Sequence, residues 1–223
     1  MNPENIKEQI CEIGRRMYAK GFVASNDGNI TVKIAENEIW TTPTGVSKGY
    51  MTPDMLVKVN MAGEILEGSL KPSSELKLHL KVYRERSDVN AVIHAHPPIS
   101  TAFTIAGKAI NDKILSETII QLGSIPTAKF GTPSTMELPD SITEYLPNHD
   151  AILLAHHGAI TMGFDLFNAF CKMETLEFSA QISLYAKLLG NELELSSEQV
   201  QCLIGVRQSL NLPGRHPGLA SGK

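Results

Sequence analysis

Two imidazoles spaced i, i+2 stand in Ala91-Val92-Ile93-His94-Ala95-His96, an apolar, β-favouring run that Pro97-Pro98 brings to a stop. Side chains two apart on a strand share a face, so His94 and His96 are expected side by side. Neutral imidazoles on rigid backbone suit a divalent metal with nitrogen ligands, most often Zn²⁺. The motif is short, and a core histidine beside a surface histidine would satisfy it equally well. A second apolar run, Ala151-Ile152-Leu153-Leu154-Ala155, ends in His156-His157-Gly158, so four of the seven histidines stand at the ends of two expected strands. Adjacent strand residues point to opposite faces, which makes one of this pair a ligand and the other a bystander.

In Lys71-Pro72-Ser73-Ser74-Glu75-Leu76, a proline and two serines precede Leu76, Leu80 and Tyr83 at helical spacing, the pattern of a helix N-terminus. The first turn of a helix offers unpaired N–H groups to an anion. Glu75 in that turn is either an ordinary dipole-complementing carboxylate or an oxygen ligand and general acid/base beside a metal. His79, one turn further on, is a rival ligand, though a helix-face histidine is more often structural. Ser25-Asn26-Asp27-Gly28-Asn29 and Thr42-Pro43-Thr44-Gly45 are turn-forming clusters. The first could turn N–H groups inward as an anion nest, and the second brings a free hydroxyl and a glycine backbone close to a ligand; each alone is also an ordinary turn.

The ordered set Asn26-Asp27-Gly28-Asn29, Thr42-Pro43-Thr44-Gly45, Pro72-Ser73-Ser74-Glu75, His94-Ala95-His96 and His157-Gly158 resembles the class II aldolase/adducin-head family, and within it the L-fuculose-1-phosphate aldolase group, over nearly the whole chain. The resemblance implies one Zn²⁺ per subunit held by His94, His96 and His157. It makes Glu75 a ligand at rest and the catalytic acid/base once substrate displaces it. Gly28, Asn29, Thr44, Gly45, Ser73 and Ser74 would hold a substrate phosphate. The implied reaction splits a 2-ketose 1-phosphate, such as L-fuculose 1-phosphate, into dihydroxyacetone phosphate and an aldehyde such as lactaldehyde, through a metal-stabilised enediolate. A homotetramer with the site near a subunit interface is implied as well.

The sequence departs from that pattern in two places. Leu115 stands where the group carries a catalytic tyrosine, with Glu117 nearby, and no tyrosine follows Tyr185. Glu117, Lys129 and His216 are possible substitutes, each expected as a plain solvated side chain. The same scaffold also carries dehydratases, decarboxylases, 4-epimerases and the non-enzymatic adducin head. Epimerase members usually carry Asp where Glu75 stands, and the intact histidines count against an interaction module.

The rest of the chain must position these groups. Its 223 residues are long enough for one sizeable core, and a single domain over 1–223 is expected. A net charge of −4 disfavours electrostatic binding to nucleic acid or acidic membranes. Met1-Asn2-Pro3-Glu4 does not open like a signal peptide, and Cys11, Cys171 and Cys202 are far apart, consistent with packed thiols in a reduced, cytoplasmic protein. Expected elements are a helix over 2–20, strands over 30–34 and 39–42, a hairpin over 56–60 and 64–67, and the two histidine-bearing strands. A helix follows over 99–106, then an ambiguous segment over 114–122, a short strand over 124–129 and a helix from Ser134 or Thr135 to Leu146. Helices over 166–189 and 197–209 complete the chain, the former with Phe170, Met173, Leu176, Phe178 and Leu184 as core. The tail over 212–218 is expected to be mobile or folded onto a neighbour. The fold class is α/β, a single-domain α/β/α sandwich on a central mixed, largely antiparallel sheet.

Overall fold

The computed structural model describes residues 3–219. Helix α1 (Pro3–Ala19) leads into strands β1 (Asn29–Ala35), β2 (Glu38–Thr41), β3 (Val57–Val59) and β4 (Ile65–Glu67). Then come α2 (Leu76–Glu85), β5 (Ala91–Ala95), α3 (Pro98–Ile105), α4 (Ser116–Gln121), β6 (Thr127–Ala128) and α5 (Glu137–Ser141). The chain continues through β7 (Ala151–Leu154), β8 (Gly158–Gly163), α6 (Leu166–Leu189) and α7 (Ser197–Ser209). The eight strands form one open sheet in the order β4-β3-β2-β1-β5-β8-β7-β6. Every neighbouring pair is antiparallel except β6 with β7. This is the expected mixed, largely antiparallel sheet.

The period of two along each strand feeds two separate cores. Ile30, Val32, Ala91, Ile93 and Leu153 pack with Ile10 and Met17 of α1 and Phe170, Met173 and Leu176 of α6. Val92, Ile152, Leu154 and Ile160 pack on the other face with Leu76, Leu80 and Tyr83 of α2 and Leu138 of α5. Helices therefore cover both faces. His94 has the parity of Val92 and faces α2, the helix that Glu75 precedes. That parity decides where the chemistry sits.

Gly14 lies inside α1, where alanine normally gains about 1 kcal/mol over glycine. Here an added Cβ would lie 2.6 Å from the Lys48 carbonyl oxygen and 2.7 Å from Met51 Cε. Backbone cannot yield as a side-chain tip can, so Gly14→Ala is expected to lower stability by about 1–3 kcal/mol, measured as the denaturant midpoint.

Several expectations are corrected. The helix drawn from Ser134 or Thr135 to Leu146 shrinks to Glu137–Ser141, because Ser141 Oγ binds the Leu138 carbonyl at 2.8 Å and Pro147 disfavours helical backbone at Leu146. Phe178 is 53% exposed, not core; two residues from Leu176, it lies on the opposite side of α6. Cys202 is exposed rather than packed. His216 is buried, its Nε2 donating to the Ile119 carbonyl at 2.6 Å while Nδ1 accepts from the Gly218 N–H at 3.1 Å. The tail around it is folded onto α4 of the same chain. Strand β8 was not expected at all: glycines bound it at both ends and weaken the strand pattern, yet it fills the centre of the sheet between β5 and β7.

Candidate metal centre

Strand β5 carries His94 to the centre of the sheet, opposite Asn29 of β1 and Ile160 of β8. Pro97 and Pro98 then end the strand, and Pro98 opens α3, leaving His96 at the strand's exit. His157 stands in the tight turn joining β7 to β8, where its N–H binds the Leu154 carbonyl at 3.0 Å. His156 takes the strain of that turn, with φ at 57°, and points to solvent. Gly158 follows because an added Cβ would strike the Ala95 carbonyl oxygen and lie 2.7 Å from His96 Cδ2. Two strand ends are thereby pressed together until three imidazoles meet.

The ring centroids of His94, His96 and His157 are 4.7–5.0 Å apart, and one ligand nitrogen from each falls within 4.8 Å of the others. His94 Nδ1 lies 2.9 Å from the Ala159 carbonyl, which can only accept, so Nδ1 carries the proton and Nε2 presents its lone pair. That lone pair faces His96 Nε2 at 3.0 Å and Glu75 Oε2 at 3.2 Å. Glu75 Oε1 lies 3.3 Å from His157 Nε2. His96 Nδ1, on the outer side of its ring, is 3.5 Å from Asp27 Oδ2.

Glu75 stands at the N-cap of α2, one step before the helix rather than inside its first turn, and its own N–H is met by Ser73 Oγ at 3.3 Å. Burial works to raise its pKa, but the adjoining His94 and His157 rings and the Asn29 amide at 3.1 Å outweigh it and hold the carboxyl at about 2. Burial, with the His94 ring alongside, holds His157 down to about 4 and keeps His96 below its usual range. Ligand-competent neutral imidazoles beside an ionised carboxylate are the result. Converging acceptors with no donor between them repel one another unless a cation joins them. Glu75 Oε1 and His157 Nδ1 are buried without a hydrogen-bond partner among the described residues. The donor set fits a divalent cation that accepts nitrogen and oxygen ligands.

A cavity of about 210 Å³ opens beside this group, lined among others by Gly28, Asn29, Thr44, Ser73, Ser74, Glu75, His96 and His157. The loops that shape it are tied together: Thr44 N–H binds the Lys71 carbonyl at 3.0 Å, and Ser73 N–H binds the Thr42 carbonyl at 3.1 Å. Gly45 does not line the cavity; it sits on the rim of the turn with φ at 75°. Pro133 and Ser134 do line it, although from sequence Pro133 reads only as a turn residue and Ser134 only as a helix cap. His79 is fully buried behind the site, with Nδ1 2.8 Å from Thr31 Oγ1, outside the three-histidine cluster. Leu115, Glu117 and Lys129 do not line the cavity, and the latter two are exposed. A wider groove of about 770 Å³ along α1, lined by Glu12, Arg15 and Phe167, holds no histidine, and its Glu12 is already paired with Arg15 and Arg16 at 3.0 Å.

An open, mostly antiparallel sheet with three histidines and a carboxylate gathered at adjacent strand ends defines a class of metal-binding α/β protein. The chain belongs to the class II aldolase and adducin N-terminal domain family, whose model matches residues 8–184. It is 34% identical to an L-fuculose phosphate aldolase of Methanocaldococcus jannaschii over 80% of this chain and 95% of that protein. It is 34% identical to a 5-deoxy-D-ribulose 1-phosphate aldolase of Bacillus thuringiensis, over 88% and 92%. A 3-oxo-tetronate 4-phosphate decarboxylase of Escherichia coli is 30% identical over 80% and 86%. Among solved structures, the L-fuculose-1-phosphate aldolase of Thermus thermophilus superimposes with a TM-score of 0.75 at 30% identity, covering 87% of this chain and 100% of that one. Among the described residues no helix is long and apolar enough to cross a membrane.

Proposed function

We propose that this protein is a zinc-dependent aldolase that cleaves a 2-ketose 1-phosphate, L-fuculose 1-phosphate or a related deoxyketose phosphate, to dihydroxyacetone phosphate and an aldehyde such as lactaldehyde. The observation that carries this reading is the convergence of three histidine nitrogens and the Glu75 carboxylate on the wall of a small polar cavity. His94, His96 and His157 would hold a divalent ion, which would supply Lewis-acid stabilisation of the negative charge that develops as the carbon–carbon bond breaks. Glu75, ionised and at the cavity wall, takes the proton from the substrate hydroxyl and returns one to the carbon of the dihydroxyacetone phosphate half. Gly28, Asn29, Thr44, Ser73 and Ser74 hold the phosphate, with Gly45 shaping the turn behind Thr44. Binding energy at that end orients the reacting end.

A single domain, a homotetramer and a cytoplasmic location belong to the same reading. Phe178, Leu188, Leu189 and Leu193 are apolar and exposed along α6 and just beyond it, which supports association between copies. The identity to a decarboxylase favours a second reading, in which the same site withdraws electrons from a sugar-phosphate acid that loses CO₂. Metal analysis followed by a coupled assay for dihydroxyacetone phosphate separates the two. Zinc near one per chain with release from L-fuculose, L-rhamnulose or L-ribulose 1-phosphate is the expected result. Metal without release from any of them would favour the decarboxylase, and a chain that takes up no metal would overturn both.

A further inference from the structure

We propose that Lys48 is the cation of the anion pocket: a positioning residue whose ammonium ties the two loops that shape the cavity from behind and offsets the charge of a bound phosphate. This rests on the reading of that cavity as a phosphate site. The need for such a group is plain from the lining, which contains no lysine or arginine but does contain the carboxylates of Asp27 and Glu75. Those two carboxylates balance the charge of a divalent ion held by the histidines, so the lining itself offers a phosphate no net positive charge.

Lys48 answers that need without entering the cavity. It is 1% exposed and forms no ion pair among the described residues. Nζ donates instead to two backbone carbonyls, that of Val46 at 2.7 Å and that of Asn26 at 3.0 Å. Asn26 lines the cavity at the start of the Asn26–Asn29 turn, and Val46 follows the Thr44–Gly45 turn, so one ammonium bridges both. The backbone of Lys48 is fixed from below, because α1 packs on its carbonyl at Gly14 with no room for a Cβ.

Lysine is almost never fully buried without a charged partner, and an apolar side chain of similar length would fill the space without the desolvation penalty. Retaining a charge there has a cost that the fold alone does not require. Burial does push Lys48 down to about 8, and the nearby Asp27 carboxylate is the opposing pull. A phosphate bound on the far side of the same loop acts in the same direction as Asp27. The ammonium and the anion thus stabilise each other through the loop that separates them.

The test compares metal-loaded wild type with Lys48→Met and Lys48→Gln, using inorganic phosphate as the probe. Methionine removes the charge and both hydrogen bonds, while glutamine keeps an uncharged amide N–H₂ that can still donate. In both variants the dissociation constant of phosphate is expected to rise about tenfold, and KM for a cleaved sugar phosphate by a similar factor, with kcat at saturation and metal content close to wild type. A purely structural lysine would instead lower the unfolding midpoint or the metal content and leave phosphate affinity per folded molecule unchanged. That outcome in Lys48→Gln overturns the proposal even if Lys48→Met fails to fold. Wild type that binds no phosphate overturns it together with the pocket assignment, while the cleavage assay still judges the reaction on its own terms.

Discussion

Replacing His94 by alanine is expected to strip the protein of its metal and abolish turnover while the fold persists. His94 is the fully buried member of the cluster, and both ring nitrogens are committed: Nδ1 to the Ala159 carbonyl at 2.9 Å, Nε2 toward His96 and Glu75. Loss of an outer partner of a metal ligand typically weakens binding 10–100-fold, so loss of an inner ligand is expected to exceed roughly 100-fold. Removing several kcal/mol of Lewis-acid stabilisation lowers turnover by about 10³-fold or more. The fold survives because the sheet around β5 is held by backbone pairing on both sides and by two separate cores. The Ala159 carbonyl loses its bond to the His94 ring but stays in the β5–β8 ladder opposite Ala95, a loss of about 1 kcal/mol that a sheet of this size tolerates. The most discriminating readout is the unfolding midpoint with and without a chelator. A ligand present at 100 times its dissociation constant stabilises the native state by about 2.7 kcal/mol, so chelation should lower the wild-type midpoint and leave that of His94→Ala unmoved. Wild-type metal content in the variant would remove His94 from the site. Neutral pH suffices for the experiment, since burial already keeps His157 down to about 4 and so free of its proton.

The parts of the site that were legible in the sequence are those set by strand parity. His94 and His96 had to share a face, and only one of His156 and His157 could join them; the structure brings His157 to the cluster and leaves His156 exposed at positive φ. What the sequence did not carry was the partner that brings the two strand ends together. That partner is β8, whose glycines erase its pattern: Gly158 is there for close approach to Ala95 and His96, and Gly163 ends the strand. With β8 unseen, the adjacency of β5 and β7 could be guessed only as two buried strands with histidines at the same end. Pro133 and Ser134 were missed for a related reason, because a turn's residues declare that the chain reverses but not what it reverses against.

Lys48 shows the opposite failure. A lysine in a Gly- and Ser-rich turn carries the pattern of a solvated side chain, and only the packing of α1 across Gly14 reveals that it is sealed in. His216 misled in the same way: its surroundings are rich in breakers, yet the Ile119 carbonyl and the Gly218 N–H claim both of its nitrogens. Phe178 misled in reverse, since the long apolar run of α6 has no single stripe and its exposed side cannot be told from its buried one without the sheet beneath it. In all three cases local composition was overruled by long-range contacts.

Glu75→Gln is expected to keep the metal and lose the chemistry, with turnover falling by about 10²–10⁴ and KM changing little. The substitution preserves shape, so the Asn29 amide at 3.1 Å can still find an oxygen and the side chain can remain at the N-cap of α2. It removes only the capacity to carry a proton and a charge. In the native protein that capacity is present throughout the neutral range: burial pushes the carboxyl up, but His94, His157 and Asn29 together hold it at about 2. The group is therefore a base when substrate arrives, and the substrate hydroxyl is the acid it meets at the cavity wall. The proposed function gives this one side chain two roles, resting ligand and proton carrier, and the variant separates them. Were Glu75 only a ligand, glutamine would reduce metal content and the metal-loaded remainder would turn over normally. With Glu75 as proton carrier beside an ion that three histidines still hold, glutamine leaves most of the metal in place and every loaded molecule slow, which is the expected result. Turnover per bound metal, not turnover per chain, is the quantity that decides. A value equal to wild type would reduce Glu75 to a ligand and move the proton transfer to another group at the cavity wall.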